Sequence, residues 1–240
     1  TAIEMAEQGA SITLVARTEE TLREVMEKLP KANGQHHTIM VADFTDTVSL
    51  QKALDDTLAK HGPVHILVNN SGGPAPGPVE NAKADEFLQA FKQHLITNHV
   101  LAQNLLPGMK EAGYGRIVNV ISTSVKQPIP GLGVSNTIRG AVANWAKTLA
   151  EEVGEHGITV NNVLPGATWT ERLEEIFETK ALRQGTAVDQ IMKEEKGTIP
   201  ARRFANPEET AGAIAFLSSP AAAYINGINL PVDGGRTRCL

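Results

Sequence analysis

Six short runs rich in Val, Ile and Leu recur along this chain of 240 residues, and a long intervening stretch separates each from the next. They are ITLVAR (12–17), HTIMVAD (37–43), VHILVNN (64–70), RIVNVIS (116–122), ITVNNVLPG (158–166) and INGINLPVDGG (225–235). The first shows no apolar–polar alternation, which is how a strand covered on both faces reads. The stretches between them carry apolar residues at helical spacing, with no succession of hairpins. Strands alternating with helices imply βαβ units, right-handed crossovers and a doubly wound parallel sheet with helices on both sides.

The helices can be placed from caps and periodicity. Thr18 caps one, with Leu22, Val25, Met26 and Leu29 facing inward. Asp46 or Thr47 opens the next, with Leu50, Ala53, Leu54 and Leu58. A helical region over 82–112 has an irregularity near its start and uses Phe87, Phe91, Leu95, Val100, Leu101, Leu105 and Met109. A strong helix over 134–156 carries Ile138, Val142, Trp145, Leu149 and Val153. Asn206 and Pro207 open another. The opening TAIEMAEQGAS reads as the end of a helix, with Ile3, Met5 and Ala6 inward and Gly9 as cap. Residues 167–200 are charged, helical in pieces and weaker in core pattern. No repeat or long linker interrupts the chain, so 1–240 reads as one domain.

Aromatics make up only 4% of residues, so the core rests on aliphatic side chains. The net charge of −5 argues against a nucleic-acid or anionic-membrane surface. No apolar run approaches the ~18 residues of a membrane span. Cys239 is the single cysteine, which excludes an intramolecular disulfide and a cysteine-built metal site, and the histidines show no metal-ligand spacing. A reducing cytoplasm is the expected compartment, and no metal is expected.

In an open α/β sheet the chemistry lies beyond the carboxyl ends of the strands. The strand over 116–121 delivers Ser122, Thr123 and Ser124 to that edge, and the helix after it brings Ser135 and Arg139 there on successive turns of one face. Asn69, Asn70, Ser71 and Gly72 form another strand end, where glycine admits a close ligand and asparagine ties neighbouring strands by bonding to backbone. The same residues also suit an ordinary tight turn. Pro165, Gly166, Thr168 and Thr170 make either a strand exit or a rigid edge with hydroxyls for an amide or phosphate. Arg17 follows the first strand, with no acid at that position. It is either a solvated side chain or a partner for a ribose 2′-phosphate. Asp43 contacts an adenine amino group or caps a turn.

The ordered set VADFTD with Asp43, NNSG (69–72), LPGM (106–109), GRIVNVIS (115–122), VNNVLPG (160–166) with Thr170, and VDGG (232–235) resembles the short-chain dehydrogenases/reductases. The nearest branch is the 3-oxoacyl-acyl-carrier-protein reductases. The resemblance spans nearly the whole chain. It implies a Rossmann-like fold, an oxidoreductase using NADP or NAD on a small carbonyl or alcohol, and a homodimer or homotetramer built through the helices over 82–112 and 134–156. It also implies a strand and glycine-rich loop ahead of ITLVAR, so roughly 20 residues are expected before Thr1, completing a ~30-residue βαβ opening. Residues 167–200 correspond to the family's variable substrate cover.

The family's catalytic group is Asn, Ser, Tyr and Lys. Ser122 matches the serine. With the family's twelve intervening residues the tyrosine position falls on Ser135, and with three more between them the lysine position falls on Arg139. Counting back from a helix end at Pro107 places the asparagine position near His94. A serine hydroxyl lacks the acidity of a phenol. Arg139 keeps a positive charge and a fork of donors but does not release a proton near neutral pH. His94 is the nearby group whose ordinary pKa suits proton transfer, although a packed histidine bonded to backbone is the favoured reading. The two readings are an oxidoreductase with an altered proton path, and a catalytically silent nucleotide-binding or sensor protein.

Overall fold

A computed structural model describes residues 1–239. The chain runs α1 (Ala2–Glu7), β1 (Thr13–Ala16), α2 (Glu19–Glu27), β2 (Thr38–Val41), α3 (Thr47–His61) and β3 (Ile66–Asn69). There follow α4 (Ala84–Phe91), a π-helical turn (Lys92–Ile96), α5 (Thr97–Ala112), β4 (Gly115–Val120), α6 (Gly133–Val153) and β5 (Ile158–Pro165). The chain continues through α7 (Glu171–Gln184), α8 (Val188–Gly197), α9 (Pro207–Ser218) and β6 (Asn229–Val232).

All strand pairs are parallel, as the alternating pattern requires. They form two sheets: β1 with β2, and β3-β4-β5-β6. No described strand joins β1 to β3, the position at which the family resemblance puts its first strand. Accordingly β1 is half-buried throughout and not covered as its unbroken apolar run suggested. The core lies on β4 and β5, where Ile117, Val118, Ile158, Val160, Val163 and Leu164 are buried. Leu101, Leu105 and Met109 of α5 and Ala146, Ala150 and Val153 of α6 cover one face. Ile214 and Leu217 of α9 cover the other, against Val118 and Val163. Each fully buried aliphatic side chain contributes about 1.5–3 kcal/mol, enough in sum to hold helices on both faces of a sheet with few aromatics.

The strand ends are held level by a chain of side-chain amides. Asn69 Nδ2 donates to Asn119 Oδ1 at 2.8 Å, Asn119 Nδ2 to Asn162 Oδ1 at 2.9 Å, and Asn162 Nδ2 to Asn229 Oδ1 at 2.8 Å. These residues are register partners on four consecutive strands. The sequence pointed to asparagine bonding to backbone here. Parallel pairing instead stacks like residues on one face, so each amide meets the next amide. The ladder ends at Asn69 Oδ1, a buried acceptor with no partner among the described residues.

Other expectations shift for local reasons. Ile3 is 43% exposed, while Met5 and Ala6 are buried. Thr18 occupies the N-cap position of α2 without a side-chain cap bond. Asp46 does cap α3, accepting the Val48 and Ser49 amides, and Glu209 accepts the Asn206 amide at the start of α9. Pro107 lies inside α5, which continues to Ala112. The irregularity expected early in 82–112 is the π turn, whose extra residue rotates every later position by about 100°. Phe91, just ahead of that turn, is exposed and not inward as its spacing suggested, Ile96 at the turn's end is exposed, and His94 within it faces inward. Residues 167–200 carry a small core of their own, with Phe177, Ala181, Ile191 and Ile199 packed with Phe204.

Asn119→Leu keeps the volume but strands Asn69 Nδ2 and Asn162 Oδ1. Each buried group left unpaired costs about 1–3 kcal/mol, so urea unfolding of this variant is expected to show a loss of about 2–6 kcal/mol. An unchanged midpoint would mean that the ladder carries little of the stability.

Candidate active site at the strand ends

The carboxyl end of β4 and the first turns of α6 form the floor of the site. Ser122 accepts the Ser124 amide at 3.1 Å, which opens a short 3₁₀ turn over Thr123–Val125. That bond uses a lone pair and leaves the Ser122 O–H free to donate. Ser135 and Arg139 follow one turn apart on α6, both half-buried. Arg139 Nη1 donates to the Val120 carbonyl at 3.0 Å, fixing the guanidinium against the strand end.

The π turn holds the opposite wall. Its Gln93 Nε2 donates to the Gly72 carbonyl at 3.2 Å, and His94 Nδ1 lies 2.8 Å from Ser71 Oγ. His94 is 1% exposed, and its Nε2 has no partner among the described residues. Burial, reinforced by the charges of Arg139 and Arg172, lowers its pKa to about 4. The histidine is therefore neutral at pH 7, and the expectation that it titrates near neutrality is corrected. Its bond to a serine side chain also replaces the backbone bond that a packing role suggested. Burial, with the charge of Arg172, lowers the Arg139 pKa to about 10, so the guanidinium remains a cation at neutral pH.

Arg172, in the first turn of α7, was missed by the sequence reading. A methyl group placed on Gly73 would lie 3.5 Å from Arg172 Nη2 and 3.6 Å from Arg139 Nη2, so both guanidiniums flank one small space. A signal was present: Thr170 caps α7, which puts Arg172 where the helix dipole disfavours a cation.

The remaining predicted residues line the same edge. Arg17 is exposed after β1 and makes no ion pair among the described residues. Asp43, after β2, accepts the Thr45 amide and hydroxyl on Oδ1, both at 2.8 Å. The amide bond, then the hydroxyl bond, holds its pKa below the usual carboxylate value, with a smaller contribution from Arg17. Oδ2 carries no bond among the described residues. Asn70 is exposed, and nothing lies within 4 Å of a Cβ built on Gly72. Pro165 ends β5. Gly166 has a packing reason, since a Cβ there would lie 2.7 Å from Asp233 Cα. Thr168 pairs with Ala205 in an isolated bridge, and the Thr170 hydroxyl accepts the Leu173 amide at 3.4 Å as the cap of α7. Ser71, His94, Arg139 and Arg172 thus share one region, while Arg17 and Asp43 sit together at the ends of β1 and β2. These residues fit a dinucleotide laid along the edge: an unpaired cation and an open carboxylate oxygen at one end, an open glycine turn in the middle. No group of three His, Cys, Asp or Glu side chains among the described residues is arranged to hold a metal.

The chain is similar to known proteins along nearly its whole length. Residues 1–237 match the family model described as enoyl-(acyl carrier protein) reductase. A 3-oxoacyl-[acyl-carrier-protein] reductase from Vibrio cholerae is 32% identical over 231 residues, covering 96% of this chain and 88% of that protein. A glucose 1-dehydrogenase from Gluconobacter oxydans is 32% identical, covering 99% and 86%. Among solved structures, L-sorbose reductase from Gluconobacter frateurii complexed with NADPH and L-sorbose superposes with a TM-score of 0.93 at 29% identity, covering 100% of this chain and 91% of that one.

His94 gives a pH signature. Its folded pKa lies below the unfolded value of about 6.5, so the unfolded chain binds more protons between those values. Stability from the neutral imidazole is complete above pH 6.5 and declines as pH falls toward about 4. Melting temperatures between pH 4 and 7 should drop less steeply for His94→Gln than for the unaltered protein. Parallel slopes would place the titration elsewhere.

Proposed function

The chain belongs to the short-chain dehydrogenase/reductase family, and from that premise we propose that it is an NADP-dependent oxidoreductase interconverting a small carbonyl and an alcohol with an altered proton path. The observation that carries this reading is Arg139, held by the Val120 carbonyl at the strand end that presents Ser122. The dinucleotide supplies or accepts the hydride when bound. Ser122 donates its free O–H to the substrate oxygen. Arg139 stabilises negative charge developing on that oxygen, a role that needs a cation but no proton transfer. Ser135 passes a proton from water, since its own hydroxyl is too weak an acid to supply one. His94, neutral at pH 7, acts as a fixed hydrogen-bonding group that orients Ser71 and not as the acid.

Asn70, Ser71, Gly72, Pro165, Gly166, Thr168 and Thr170 border the dinucleotide in this reading, through backbone groups where their side chains are already engaged. Arg17 takes the ribose 2′-phosphate and Asp43 Oδ2 the adenine amino group. A homodimer or homotetramer belongs to the same reading: Leu88, Phe91 and Ile96 expose apolar surface at 67%, 38% and 37%, which a second copy would cover. The described residues contain no helix long and apolar enough to cross a membrane, and the proposal is of a cytoplasmic enzyme with a small-molecule substrate. One observation favours the second reading, a nucleotide-binding sensor without turnover. Of Ser122, His94, Ser135 and Arg139, none offers a proton donor with a pKa near 7.

Two measurements decide between these. In fluorescence titrations Arg17→Ser should weaken NADPH binding by about tenfold, the usual cost of one charge-assisted hydrogen bond, and leave NADH binding unchanged. A ketone and alcohol panel should reveal a substrate whose kcat falls about 100-fold or more in Arg139→Met, as for loss of a group stabilising an oxyanion. Cofactor binding with no turnover of any panel member would favour the sensor, and full turnover by Arg139→Met would remove Arg139 from the mechanism.

A further inference from the structure

Arg139 and Arg172 come from different elements, α6 and the start of α7, yet their Nη2 atoms close on the same space beside Gly73. Neither guanidinium forms an ion pair with a carboxylate among the described residues; the ion pairs found there use Arg23, His156, Lys180, Arg203 and Arg236. Two like charges facing one space repel, and the half-buried position of Arg139 weakens the screening that would relieve this. Such a pair is stabilised when an anion enters between the forks, because each guanidinium presents parallel donors matched to a carboxylate. Arg139 spends one donor on Val120 and keeps the others. Gly73 contributes by what it lacks: without a Cβ the shared space stays open.

A second observation comes from the neighbouring strand end, two residues before Gly73, where Ser71 meets His94. His94 is almost completely buried, with Nδ1 engaged by Ser71 and Nε2 unpartnered. When the Ser71 hydroxyl donates to Nδ1, the neutral ring carries its hydrogen on Nε2, a buried donor with no acceptor among the described residues. A buried polar group in that condition costs about 1–3 kcal/mol unless a ligand atom completes it. The charges of Arg139 and Arg172 both reach this imidazole.

We propose that Arg139 and Arg172, opening on the space left by Gly73, form a carboxylate-binding site, and that the carbonyl compound this protein takes is an oxo acid and not a neutral ketone or sugar. Naming the bound anion as substrate rests on the oxidoreductase reading; the anion site itself does not. Arg172 lies in the segment corresponding to the substrate cover, so the carboxylate would draw the start of α7 onto the substrate through the same contact that recognises it.

The test uses 4-oxopentanoate and its methyl ester, which share a skeleton and differ in charge, titrated calorimetrically into the full chain with and without NADPH. The acid is expected to bind about 10- to 100-fold more tightly than the ester, the range for hydrogen bonds to a charged group. Arg172→Gln changes an exposed surface side chain, and Gly73→Ala fills the shared space at ordinary contact distance while keeping both charges. Both variants should lose the preference for the acid, with NADPH affinity unchanged. Equal binding of acid and ester overturns the proposal, as does a preference that survives both variants. So does an Arg172→Gln variant that binds NADPH poorly but keeps the acid preference, since the arginine then serves a cofactor phosphate. A preference for the acid without turnover supports the anion site and removes the oxidoreductase reading. Turnover of neutral ketones without that preference does the reverse.

Discussion

The ladder of four asparagine amides fixes the edge on which everything else is assembled. Asn69, Asn119 and Asn162 each donate to the next amide, and Asn119, Asn162 and Asn229 accept, so β3, β4, β5 and β6 cannot slip along one another without stranding buried polar groups. A one-residue slip would also exchange the side chains packed against the two helical layers. The ladder sets the level of the strand ends, and Ser71, Ser122 and Gly166 follow it by two, three and four residues along one edge. Backbone pairing alone is uniform along a parallel sheet and would not choose that level so firmly.

The second constraint is the π turn between α4 and α5. His94 faces the interior four residues after the buried Ala90 and meets Ser71, while Gln93 of the same turn reaches the Gly72 carbonyl. One local distortion therefore positions the loop containing Gly73, and that loop bounds the space shared by Arg139 and Arg172. Helix geometry, loop position and local charge are linked at this point, and the low pKa of His94 follows from the same burial.

A site with two arginines, a neutral histidine and several hydroxyls is rich in donors and poor in groups that exchange protons at pH 7. That balance suits binding and stabilising negative charge better than supplying a proton. At the position where the family resemblance expects a lysine, an arginine retains the charge and loses the easy proton exchange.

The sequence by itself determined the alternation of strands and helices, the parallel topology, the caps at Asp46 and Asn206, and the placement of Ser122, Ser135 and Arg139 at one edge. Each of these depends on residue type and spacing within one element, which the chain displays directly. Only the tertiary structure decided what crosses between elements. Arg172 lies 33 positions beyond Arg139, and no period connects them, yet both reach Gly73. The asparagines bond to each other, and not to backbone, because register brings them together. His94 is neutral because of what surrounds it, although its ordinary pKa suggested a proton relay. Long-range proximity and desolvation are properties of the packed chain, so residue identity and spacing could nominate the active-site strand but could not read its electrostatics.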